Sequence, residues 1–158
     1  VNSGTDALIL SLLSLGVGPG DEVITQSNSY VATASSISAV GAKPVFSDVY
    51  DDQTMDVDDM RSKINNRTKV IMPVHLTGRM CEIKKIMKIA KQNNLKVIED
   101  CAQSVGSTFD GKKSGTFGDI AAFSTHPLKN LNACGDGGFI VTNDVKLSNF
   151  LKLKRNKK

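Results

Sequence analysis

The sequence predicts an α/β fold, a three-layer α/β/α arrangement with a mostly parallel central sheet. Three observations carry this. Strand-like and helix-like segments alternate along the whole 158-residue chain. The central strand segments, Lys69 to Val74 and Leu95 to Glu99, are nearly continuous apolar runs, as strands covered on both faces require. The intervening segments carry apolar residues at helical spacing, as helices that cover such a sheet do.

In chain order, Asp6 to Leu15 is apolar at helical spacing through Leu8, Leu12 and Leu15, with Ser3 or Thr5 as N-cap and Gly16 as a stop. Gly18-Pro19-Gly20-Asp21 reads as a tight turn. A short strand over 22–26 follows, then a helix of small residues over 30–40 ended by Gly41, and a second strand over 44–48. Residues 58–65 make a short helix whose start suits Asp56 or Asp58. After the strand at 69–74, Cys81 to Asn94 is the clearest helix: Ile83, Ile86, Met87 and Ala90 face inward, while Lys84, Lys85, Lys88 and Lys91 face water. Strands are expected over 95–99, 120–124 and 139–142, and a final helix over 145–153. No repeat, low-complexity tract or linker interrupts the series, and the length suits one domain.

Composition excludes several functions. The net charge is +4, and much of it sits in Lys152, Lys154, Arg155, Lys157 and Lys158, without interleaved aromatics or a nucleic-acid-binding module. That stretch reads as a solvated end, and no nucleic-acid partner is expected. No apolar run reaches bilayer length and no basic-then-apolar leader opens the chain, so neither a membrane nor export is expected. Cys81, Cys101 and Cys134 are odd in number and far apart, which suits reduced thiols in a cytoplasmic protein. His75 and His126 lack acidic or cysteine companions at ligand spacing, so no metal is expected. His75 reads as a hydrogen-bonding residue, and His126 as a pocket residue.

Parallel sheets hold ligands beyond the carboxyl ends of their strands, which points to residues 27–30, 75–78, 100–103 and 124–129. Ser3-Gly4-Thr5 runs straight into a helix, offering free N–H groups and a positive dipole end to an anion such as phosphate, or serving as a plain cap. Asp100 ends a buried strand, where a carboxylate is costly unless met by a cation or by donors. A protonated ring nitrogen, a lysine, or a role in capping the next helix all remain open, and Gln103 is placed to face the same pocket. Lys129 lies in a polar loop ahead of Gly135-Asp136-Gly137-Gly138; it is either an amine nucleophile or a solvated lysine. Gly16-x-Gly18-x-Gly20 is no dinucleotide fingerprint, since it follows a helix and precedes a strand.

In their order and spacing, Ser3-Gly4-Thr5, Asp100 with Gln103, and Ser124 with Lys129 resemble the DegT/DnrJ/StrS family of nucleotide-sugar aminotransferases. Gly18 to Ile24, Tyr30 to Thr33, Gly41 to Val45, Val74 to Gly78 and Gly115 to Asp119 extend the likeness over essentially the whole chain.

This resemblance implies a fold-type I, pyridoxal-phosphate-dependent enzyme and a homodimer with its active sites at the subunit interface. Lys129 would carry pyridoxal 5'-phosphate as a Schiff base, the internal aldimine, and Asp100 would pair with the pyridine nitrogen. Gln103 would meet the 3-hydroxyl side, Tyr30 would stack on the ring, and Gly4, Thr5 and Ser124 would hold the phosphate. The implied reaction takes an amino group from an amino acid, usually glutamate, and gives it to a keto group of a nucleotide-linked deoxysugar, as polysaccharide biosynthesis requires. The Gly135-Asp136-Gly137-Gly138 turn is closer to members that act on 3-keto sugars. Members of the family are roughly twice this length or more, so residues 1–158 are expected to be a fragment of the large domain, without N-terminal helices and a C-terminal small domain. A sugar dehydratase of the same family would be expected to have His in place of Lys129. A non-catalytic, regulatory sugar-binding relative would be expected to lose Lys129 or Asp100. A nucleotide-binding domain without pyridoxal phosphate would leave the whole pattern as coincidence.

Overall fold

A computed structural model describes residues 1–155; Lys157 and Lys158 of the basic end lie outside the described residues. In chain order the elements are α1 (Gly4–Ser14), β1 (Glu22–Gln26), α2 (Val31–Ala39), β2 (Lys43–Ser47), α3 (Val57–Ser62), β3 (Thr68–Met72), α4 (Ile83–Gln92) and β4 (Lys96–Asp100). The two-residue strands β5 (Thr108–Phe109) and β6 (Lys112–Lys113) follow, then β7 (Ile120–Ser124), β8 (Gly138–Val141) and α5 (Val145–Arg155).

Six strands form one sheet in the order β2-β1-β3-β4-β7-β8. All neighbours run parallel except β8, which runs antiparallel to β7. Successive strand residues point to opposite faces, so each apolar run feeds two cores. Val23, Val70 and Ile98 pack with Leu8 and Leu12 of α1, Ile37 of α2 and Leu151 of α5. Their neighbours Ile24, Ile71 and Val97 pack with Met60 of α3 and Ile83, Ile86 and Ile89 of α4. Helices thus cover both faces, which is the three-layer arrangement the sequence predicts. No helix among the described residues is long and apolar enough to cross a membrane.

The boundaries differ from expectation for local reasons. Helix α1 starts at Gly4 because Ser3, not Thr5, is its cap: Ser3 Oγ accepts the Asp6 N–H at 3.0 Å. Asp56 caps α3, accepting the N–H groups of Asp58 and Asp59. That helix stops at Ser62 rather than Asn65, because Asn65 is drawn into a turn with Thr68 and donates to Glu22 Oε2 at 2.7 Å. Strand β3 ends before Pro73, which has no N–H for the ladder. Asp100 is the last residue of β4 rather than the first after it; its N–H donates to the Pro73 carbonyl at 2.9 Å. Absent from the sequence reading are the β5–β6 hairpin, which turns through Asp110-Gly111 with both residues at positive φ, and the 3-10 turn Leu76–Gly78.

Candidate active site

A cleft of about 580 Å³ opens beyond the carboxyl ends of β1, β3, β4 and β7. Gly4, Thr5, Tyr30, Asp100, Gln103, Ser124, His126 and Lys129 all line it. The sequence-derived candidates therefore share one cleft, although they come from both ends of the chain.

On one side the start of α1 meets the end of β7. A Cβ on Gly4 would lie 2.6 Å from Ser124 Cβ, closer than any side chain allows. Glycine here lets the helix N-terminus and the Ser124 hydroxyl face the same space. The Gly4 and Thr5 N–H groups make no hydrogen bond among the described residues, so a positive helix end points into the cleft. The same closeness recurs at Gly138, where a Cβ would meet the carbonyl oxygens of Phe123 and Ser3, each at 2.6 Å.

Lys129 is half-buried in the loop between β7 and β8. That loop folds back on itself: Thr125 N–H donates to the Gly137 carbonyl at 2.8 Å, and Ala133 N–H to the Thr125 carbonyl at 2.9 Å. Lys129 N–H donates to the His126 carbonyl at 2.8 Å, and His126 Nδ1 accepts the Leu128 N–H at 3.1 Å. His126 N–H reaches Ser124 Oγ at 3.3 Å, which links the lysine turn to the α1 end of the cleft.

Asp100 is only 3 % exposed. Its Oδ2 accepts the Thr33 hydroxyl at 2.9 Å, and its Oδ1 accepts the Ala102 N–H at 3.1 Å. No cationic side chain among the described residues pairs with it. Burial pushes its carboxyl above the usual carboxylate range, outweighing the Ala102 and Thr33 donors and the Lys129 charge. A cationic ring N–H arriving in the cleft fits this carboxylate.

Gln103 is held by its carbonyl: Oε1 accepts the Thr77 N–H at 2.8 Å. The amide nitrogen is thereby left as the cleft-side donor. Thr77 adopts φ 55°, a left-handed conformation unusual for threonine, in presenting that N–H. Tyr30, 69 % exposed, stands at the cleft mouth beside Leu128, which is 88 % exposed.

His75 lies outside the cleft, fully buried in the core. Its Nδ1 accepts the Cys81 N–H at 3.2 Å, which fixes the other proton on Nε2, donated to Glu99 Oε2 at 3.1 Å. Glu99 also accepts the N–H groups of Gly115, Phe117 and Gly118, at 2.7 to 2.9 Å. Burial opposes its ionisation, yet His75 and these backbone donors prevail and hold its carboxyl below the usual range. His75, Glu99 and Cys101 place their ligand atoms within 4.8 Å of one another. The cluster still makes no metal centre, because the imidazole and carboxylate are already fully engaged and burial drives the Cys101 thiol far above its ordinary pKa.

Sequence reasoning gave no role of their own to Thr33, Ser29 and Thr77, which position the others, although Ser29 and Thr77 lie in the strand-end stretches 27–30 and 75–78. Thr33 had a signal: it lies three residues after Tyr30, on the same face of the next helix turn.

The family model of DegT/DnrJ/EryC1/StrS aminotransferases matches residues 1–157. The chain belongs to this family. Within it, the chain is 49% identical over 156 residues to a UDP-N-acetyl-3-dehydro-alpha-D-glucosamine 3-aminotransferase of Acidithiobacillus ferrooxidans, covering 98% of this chain and 42% of that protein. The crystal structure of DesV from Streptomyces venezuelae, in complex with a ketimine intermediate, superposes with a TM-score of 0.96 at 42% identity, over 99% of this chain and 42% of that one. NtdA of Bacillus subtilis, solved with bound cofactor PMP, gives a TM-score of 0.89 at 38% identity, over 95% and 34%. The fold is that of these aminotransferases, and the chain spans about two-fifths of the length of the relatives it matches, 42% in the first case.

Proposed function

We propose that residues 1–158 are the cofactor-binding part of the large domain of a pyridoxal-phosphate-dependent aminotransferase acting on a nucleotide-linked keto sugar. The observation that carries this reading is Asp100, a buried carboxylate without a cationic partner among the described residues, opening onto a cleft shared with a lysine and a helix N-terminus. Pyridoxal phosphate, when bound, supplies an electron sink for the carbanion formed at the amino acid's Cα.

The chain's own groups divide the work. The N–H groups of Gly4 and Thr5 and the Ser124 hydroxyl bind the phosphate. Asp100 holds a proton on the ring nitrogen, and Gln103 Nε2 donates to the ring's 3-oxygen because Oε1 is taken by Thr77. Tyr30 covers one face of the ring, and His126 lines the cleft beside it. Lys129 Nζ anchors the cofactor and, once released, moves the proton at Cα. Exposed Tyr30, Val31, Leu128 and Leu131 support a homodimer whose second copy faces this region. Glutamate is the proposed donor, and the cytoplasm, where nucleotide sugars are made, the proposed compartment.

The test is the visible absorption of the protein mixed with pyridoxal phosphate and desalted. Wild type is expected to keep a band that glutamate bleaches, and Lys129→Ala to show none; identical spectra would sink the assignment. We place the accepting keto group at C3, on the Gly135-Asp136-Gly137-Gly138 turn and the 3-aminotransferase relative. Product NMR on the complete enzyme reads the aminated carbon, and nitrogen at C4 would overturn that placement.

A further inference from the structure

Asp100 has two oxygens and two protein donors, one on each. The Ala102 N–H belongs to its own chain segment, but the Thr33 hydroxyl comes from α2, across the cleft wall. Thr33 is 3 % exposed and its hydroxyl makes no bond to the helix backbone, as threonine hydroxyls in helices commonly do. Behind it, Ser29 Oγ lies 2.7 Å from Thr33 Oγ1. An ionised carboxylate only accepts, so Thr33 donates to Asp100 and Ser29 donates to Thr33. The direction of the chain is therefore fixed, from Ser29 at the cleft edge to Asp100 at its floor.

With each oxygen pinned from a different side, the carboxylate plane cannot rotate, and its orientation is set before any ligand arrives. The same bond ties the first turn of α2, which Tyr30 precedes as the cap residue, to the end of β4.

We propose that Thr33, backed by Ser29, is a positioning residue that aims Asp100 at the ring nitrogen and holds Tyr30 in register with it. The proposal rests on the cofactor reading above. Loss of the hydroxyl frees the carboxylate to turn and strengthens its hold on the proton it shares with the ring. The ring nitrogen then carries less positive charge, and the cofactor's link to Lys129 titrates at higher pH.

The test compares wild type, Thr33→Val, Thr33→Ser and Lys129→Ala with pyridoxal phosphate, reading the dissociation constant and the pH midpoint of the visible band. Thr33→Val is expected to bind about tenfold more weakly, with its midpoint moved upward. Thr33→Ser restores the hydroxyl and is expected within twofold of wild type in affinity, at an unshifted midpoint. A Val variant matching wild type in both readouts, or a Ser variant behaving like Val, overturns the proposal. Should Thr33→Val not fold, Ser29→Ala takes its place, with a smaller shift in the same direction expected and no shift counting against the idea. A wild type without a Lys129-dependent band overturns the cofactor reading itself, and this inference with it.

Discussion

Asp100 carries its own cost. Its carboxyl is raised by burial, so the folded chain holds that proton more tightly than the unfolded chain does. Linkage then runs one way: the stabilising contribution is full below the ordinary aspartate value of 3.8 and is lost as pH rises through the folded value. At neutral pH the cofactor-free protein is strained at this residue. Asp100→Asn is expected to raise its thermal midpoint by roughly 2–4 °C, the equivalent of about 1 kcal/mol in a domain of this size. The gain should vanish below pH 3.8, and pyridoxal phosphate should no longer hold a ring-protonated form; calorimetry across pH checks the first and absorbance the second. A midpoint unchanged at neutral pH would show that Thr33 and Ala102 already offset the burial. Residues of this kind were legible in the sequence because a carboxylate ending an apolar strand is chemically out of place. Thr33 was not, because a threonine in a run of small residues looks like any other until the fold brings Asp100 to it.

At the scale of elements, Glu99 and Asp100 divide one strand end between two tasks. Alternation along β4 sends their side chains to opposite faces, Asp100 to the cleft and Glu99 to the turn that precedes β7. There Glu99 gathers three backbone N–H groups and the His75 proton, and Gly118 comes so close to β4 that a Cβ would sit 2.8 Å from the Val97 carbonyl. Glu99→Gln puts an amide N–H against one of those donors and should cost about 3 kcal/mol at pH 7. Because the folded glutamate value is depressed, that stabilisation exists above the ordinary value of 4.5 and is lost as pH falls through the folded one. Urea midpoints of the two proteins should therefore converge in acid; a constant gap would refute the ionic account. Strands and the lysine-rich helix α4 were readable from period alone. The β5–β6 hairpin was not, since two-residue polar strands have no period, although Asp110-Gly111 is a recognisable turn pair.

For the whole molecule, topology decides what a sequence can and cannot say. The continuous apolar runs specified a covered parallel sheet, and the rule about strand ends located the cleft before any contact was known. Strand order was not specified: nothing local tells that β1 lies between β2 and β3, or that β8 turns back against β7. That order has a consequence in time. Helix α1 packs on α2 and also on β7, β8 and α5, and the last three lie more than a hundred positions later. At ribosomal rates of about 5–20 residues per second, the gap is on the order of 5–20 s. Through those seconds Leu8 and Leu12 have Val23, Ile37 and Val70 as partners but still lack Ile120, Ala122 and Leu151. Gly4 therefore waits for Ser124, and the proposed anion site comes together only after β7 has been made.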